Sequence, residues 1–79
     1  TITFLIEMRD EPGLLSDVLM IVARSRANIL TIHQSIPVSG MASTSISVQV
    51  MPETGDVTEM MDQIDAMDGV KSLRILGAE

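Results

Sequence analysis

The chain has no cysteine, no tryptophan, no tyrosine and a single phenylalanine. Without cysteine there is no disulfide framework, thiolate zinc site, iron–sulfur cluster or cysteine nucleophile. An aromatic content of 1% removes the stacking platforms on which single-stranded nucleic acids are read. Bases are scarce as well: five Lys and Arg face eleven acids, for a formal charge of −6, which opposes binding to phosphate backbones or anionic lipid. Nucleic acid and membrane are therefore not expected partners. No apolar run approaches the roughly 18 residues of a membrane span, and no basic segment leads into an apolar one at the N-terminus, so the chain reads as cytoplasmic.

What is present is a core. At 79 residues and 46% hydrophobic content there is material for one domain, and a small core without covalent staples often gains stability by oligomerising. The acidic surplus is uneven. Residues 52–79 carry seven acids against Lys71 and Arg74, whereas residues 1–51 carry four acids against three arginines. The chain begins at Thr1 and enters a strand pattern at once, which is expected of a domain taken from a longer protein.

Ile2, Phe4, Ile6 and Met8 alternate with Thr3, Leu5, Glu7 and Arg9, the period-2 signature of a strand with one buried face. Arg9-Asp10-Glu11-Pro12-Gly13 follows as a loop, its acids and proline suited to a helix start. Leu15, Val18, Leu19 and Val22 form one stripe, predicting a helix from Leu14 to Ser25. Asn28 to Val38 is expected to be a strand, Ser39-Gly40 a turn, and Ile46, Val48 and Val50, alternating with Ser45, Ser47 and Gln49, the antiparallel return.

Asp56 and Glu59 make a capping-box-like start to a second helix carrying Met60, Met61, Ile64 and Met67. Asp68-Gly69 stops it, and Val70 to Leu76 is a last strand with Leu73 and Ile75 facing inward. The order βαββαβ predicts an α+β, ferredoxin-like fold: a four-stranded antiparallel sheet with two helices on one face.

That fold hosts unrelated functions, so residues must decide. RNA recognition would need aromatics on the central strands, which instead offer Thr3, Leu5, Ser45 and Ser47. A metallochaperone would need cysteines. An acylphosphatase-like site would rest on Arg9 and Asn28, where the Asp10-Glu11 pair would repel a phosphate. His33 has no second ligand at metal spacing, and the methionines at 60, 61 and 67 follow the core stripe. No cofactor, metal or catalytic residue is assigned, and a lone histidine gives no basis for a nucleophile–base pair.

What remains is D-E-P-G-L-L over residues 10–15, A-N-I-L-T-I over 27–32 and D-G-V-K-S-L-R-I over 68–75. With these segments at this spacing the chain resembles the ACT domain, a small-molecule-sensing regulatory module of amino-acid metabolism, from Ile2 to Leu76. Within it, NILTIHQSIPVSGMASTSISV is similar to the PheB-like ACT proteins.

The resemblance implies a homodimer or higher homo-oligomer, built by side-by-side pairing of edge strands, with an amino acid bound at the seam. It implies a ligand site of Asp10, Glu11, Pro12, Gly13, Leu14 and Leu15 together with Asn28 and Ile29. A helix N-terminus suits an α-carboxylate, and Gly13 allows close approach. Asn28, across the interface, can serve either charged group, and Asp10 can pair with the ammonium. Leu14 and Ile29 would line the side-chain pocket.

Each residue also has a local explanation: Asp10 or Glu11 as a helix cap, Gly13 as a packing residue, Asn28 as the turn into a strand. Two other functions stay open, a dimerisation module without ligand and, through the PheB-like association with chorismate metabolism, an enzyme component acting on a chorismate-like acid. The latter normally needs clustered cations, and the five here are spread over four elements.

Overall fold

The alternating strand and helix patterns settle into β1 (Ile2–Arg9), α1 (Leu14–Arg24), β2 (Asn28–Gln34), β3 (Met41–Gln49), α2 (Val57–Asp65) and β4 (Val70–Ala78) in a computed structural model that describes residues 1–79. The strands form one sheet in the order β2-β3-β1-β4, every neighbouring pair antiparallel. This is the ferredoxin-like arrangement expected from the element order. Helix α1 packs toward β2 and α2 toward β4, and the two touch along the middle of one sheet face.

The core lies in that layer. Phe4, Ile6 and Met8 of β1, Ile46 and Val48 of β3, Val18 and Val22 of α1 and Met60 and Ile64 of α2 are buried almost completely, as the period-2 and helical stripes require. Thr44 alternates into the same face and is the one buried polar residue. Its hydroxyl donates to Met8 Sδ at 3.3 Å, which supplies the partner that a buried donor needs. The opposite face is open and hydroxyl-rich. Ser43, Ser45 and Ser47 stand across from Glu7, Leu5 and Thr3, Thr3 and Ser47 share a hydrogen bond of 2.8 Å, and His33 stands across from Ser45.

Two expected strands are modified. β2 ends at Gln34 rather than Val38. Beyond Ser35 the chain leaves the ladder at Ile36-Pro37, where proline has no N–H to give, and rejoins only at the Val38–Met41 pair. These two exchange backbone hydrogen bonds of 2.8 and 3.0 Å across Ser39 (φ 53°) and Gly40 (φ 76°), a two-residue hairpin with both central φ values positive. Leu30 is an extra residue between Ile29, opposite Val48, and Thr31, opposite Ser47. This bulge breaks the simple alternation and returns Ile32 to the helix side opposite Ile46. In β4, Ile75 lies opposite the buried Phe4, the inward side as expected, yet it is 50% exposed because it sits on an edge strand.

Helix α2 begins with Asp56, whose carboxylate accepts from the Thr58 and Glu59 amides at 2.9 and 3.3 Å. Glu59 does not complete the capping box; its carboxylate accepts instead from Gln63 Nε2 at 3.5 Å. Asp56→Ala is expected to cost about 1 kcal/mol, measured as a lower midpoint in urea denaturation followed by circular dichroism.

Candidate functional site

The loop between β1 and α1 is held on both flanks. The Asp10 amide donates to the Gly40 carbonyl at 2.8 Å, and the Arg9 amide donates to the Gly69 carbonyl at 2.8 Å. Loop 10–13 therefore lies between the β2–β3 hairpin tip and the α2–β4 turn. Gly13 is the residue before α1, at φ 84°, and no side chain caps the helix. The alternative in which Asp10 or Glu11 caps α1 is not what the structure adopts. Glu11 instead accepts from Arg9 Nε at 3.2 Å.

In the first turn the Leu14 amide reaches the Glu11 carbonyl at 3.3 Å and the Asp17 amide the Gly13 carbonyl at 3.0 Å. The Leu15 and Ser16 amides make no hydrogen bond within the protein. These N–H groups at the positive end of the helix dipole suit an anionic group. A Cβ on Gly13 would meet nothing within 4 Å, so packing does not require glycine there. The backbone conformation does.

The side chains of the expected site divide. Asp10, Glu11, Pro12 and Gly13 are exposed and Leu15 is half-buried. Leu14 is only 7% exposed and belongs to the core. Asn28 and Ile29 are not beside the loop in one chain. Asn28 pairs with Gln49 and Arg9 with Met41 on β3, which puts Asn28 at the opposite end of the sheet, roughly 25 Å away at the rise of a strand. The Asn28 side chain donates to Gln49 Oε1 at 3.4 Å, and Ile29 packs partly against the core.

None of the concavities on the single chain is lined by residues 10–15 or 28–29. A crevice of about 320 Å³ lies between the C-terminal end of α1 and the N-terminal end of α2. A shallower one of about 250 Å³, lined in part by Arg9, Gly69 and Lys71, adjoins the loop.

The sequence placed Arg9 at the head of this loop but gave no sign that it reaches Asp68, or that Gly69 packs against the loop. Arg9 forms the only two ion pairs, Nε to Glu11 and Nη2 to Asp68, each 3.2 Å long. Asp68 foremost, then Glu11, raises its already high pKa further. Gly69 (φ 99°) packs so closely that a Cβ there would lie 2.9 Å from Leu14 Cδ2 and 3.0 Å from Glu11 Oε2. The Asp68-Gly69 pair, expected to stop the second helix just after Met67, forms the turn into β4 instead, because α2 already ends at Asp65 with Ala66 as its C-cap. Nothing in the sequence showed that it abuts a loop more than fifty residues earlier. The five cations do not gather into a cluster: Arg24 and Arg26 lie at the end of α1 and Arg74 on β4, and of the two that share the shallow crevice, Arg9 and Lys71, Arg9 is already engaged by carboxylates.

The two-layer βαββαβ sandwich, with an uncapped helix following a Pro-Gly loop, defines a small ferredoxin-like α+β domain with its candidate ligand loop at one end of the sheet. A family model described as the ACT domain matches residues 1–74, and the chain belongs to the ACT domain family. The chain is 49% identical over 79 residues to a UPF0735 ACT domain-containing protein of Lachnoclostridium phytofermentans, matching 100% of this chain and 54% of that protein. It is 44% identical over 78 residues to one of Caldicellulosiruptor saccharolyticus, matching 99% and 52%. The chain thus spans about half the length of the curated relatives it matches. Among solved structures, the ACT domain from GTP pyrophosphokinase of Chlorobium tepidum superposes with a TM-score of 0.75 at 19% identity, covering 95% of both chains, which shows a common fold.

Proposed function

We propose that this domain is a regulatory module of amino-acid metabolism that binds an amino acid at the seam of a homodimer and passes its occupancy to an attached domain or partner in the cytoplasm. The observation that carries the reading is the start of α1, where the Leu15 and Ser16 amides have no partner and follow a glycine whose α-position is open. An α-carboxylate fits there. Asp10, exposed in the same loop, would take the ammonium.

The separation of Asn28 from the loop supports a site made by two chains. Antiparallel pairing of two β2 edges about a two-fold axis sets Asn28 of one protomer beside the Gln34 end of its partner, the end at which loop 10–13 lies. The edges favour this choice. Both edges expose two large apolar side chains, Leu30 and Ile32 on β2 and Ile75 and Leu76 on β4, but β2 carries no Lys, Arg, Asp or Glu, whereas β4 carries Lys71 and Arg74, the kind of residues that discourage edge pairing. Kinship with the PheB-like ACT proteins, and a place within a longer chain, belong to the same proposal; the greater length of the relatives supports the second.

Calorimetry of the full-length protein against the twenty amino acids is the test. At least one is expected to bind, with the affinity lowered about tenfold or more by Asn28→Ala, which removes a charge-assisted contact. Binding is expected to shift sedimentation toward the dimer, as linkage demands of a ligand that touches both protomers. A dimer that binds none of them at millimolar concentration would make this a dimerisation module alone.

A further inference from the structure

We propose that Arg9 is the positioning residue of loop 10–13, tying it to the α2–β4 turn so that the start of α1 and the Asp68-Gly69 turn move as one unit. The proposal deepens the reading of that loop as the ligand loop and rests on it for its functional meaning. Three contacts converge. The Arg9 amide donates to the Gly69 carbonyl at 2.8 Å. Its guanidinium bridges Glu11 of the loop and Asp68 of the turn, at 3.2 Å each. Gly69 fits against Leu14 and Glu11 with no room for a Cβ.

A guanidinium suits this task because its planar fork can engage two carboxylates at once, which an ammonium on a flexible stem does less well. The backbone bond and the glycine contact make the coupling stiff, and the bridge sets how loop and turn sit against each other. A ligand that settles on the Leu15 and Ser16 amides must accept the loop position Arg9 selects. The turn at the end of the acidic helix α2 is then the first place outside the site to register occupancy.

The test is a double-mutant cycle of Arg9→Ala and Asp68→Asn in the full-length protein, read by amide hydrogen exchange, which needs no ligand. The reporters are the hydrogen-bonded amides of Leu14 and Asp17 on the loop side and Val70 on the turn side, with Ile46 as a core control. Each single variant is expected to speed exchange on both sides by roughly two- to fivefold, the scale of an exposed ion pair. The double variant is expected to do no more than Arg9→Ala, because both remove one bridge, and Arg9→Lys is expected to recover part of the loss. Ile46 is expected to keep its wild-type rate.

Multiplying effects in the double variant, or an Asp68→Asn effect confined to the turn, would overturn the coupling. Calorimetry separates the two readings. If wild type binds an amino acid, Arg9→Ala is expected to weaken it severalfold while the dimer persists. If wild type binds none, the functional reading fails and the exchange cycle still decides the coupling.

Discussion

Phe4→Ala is expected to strip the domain of a large share of its stability and to lower its urea midpoint sharply. Phe4 is the only aromatic residue, sits mid-strand in β1 and is fully buried between β3, β4 and the helices. Truncating a buried phenylalanine costs about 3–5 kcal/mol, the lost transfer energy plus the cavity left behind. A chain of 79 residues has only about 4–12 kcal/mol of stability in total. The chain has no Trp or Tyr, so the measurement is far-UV circular dichroism against urea. A midpoint within error of wild type would mean that the layer between sheet and helices is not packed around Phe4.

Gly69→Ala is expected to cost roughly 2–4 kcal/mol, the sum of an unfavourable backbone conformation and an overpacked contact. At φ 99° an L-residue is strained, and the added Cβ would press on Leu14 Cδ2 at 2.9 Å, Glu11 Oε2 at 3.0 Å and Arg9 Nη2 at 3.2 Å. Leu14 is anchored in the core, so it has little freedom to yield. Gly13→Ala provides the contrast. Its φ of 84° carries a backbone penalty, but a Cβ there meets nothing, so about 1–2 kcal/mol is expected. Thermal melts of the two variants test the difference. Equal losses would show that backbone conformation alone governs Gly69, and that the packing of the turn against the loop contributes nothing.

Much of the fold was legible because its signals are local. The alternation from Ile2 to Met8 and the stripe through Val18 and Val22 describe faces, and a face must be buried against something. Errors arose where one residue changes the count. The bulge at Leu30 shifts half of β2, and Pro37 removes a donor just where alternation alone would continue the strand. The candidate loop was legible through its Pro-Gly, and its resemblance to the ACT domain is matched by the family model. The Asp56 cap of α2 was legible; the absence of any side-chain cap on α1 was not. Asp56 and Glu11 are both acids near a helix start, yet only Asp56 caps, because Glu11 is drawn toward Arg9.

The sequence by itself determined the order of elements, which face is apolar in every element but β2, the absence of thiol and aromatic-stacking chemistry, and the loop that opens α1. These follow from composition and from periodicities of two and 3.6 residues, which act between near neighbours. Only the tertiary structure decided that Asn28 and the loop lie at opposite ends of the sheet, that β2 is the uncharged edge, and that Arg9 and Gly69 join the loop to a turn far along the chain. Those facts depend on strand order and register, which arise when distant segments pair, and no local pattern encodes the distance between them.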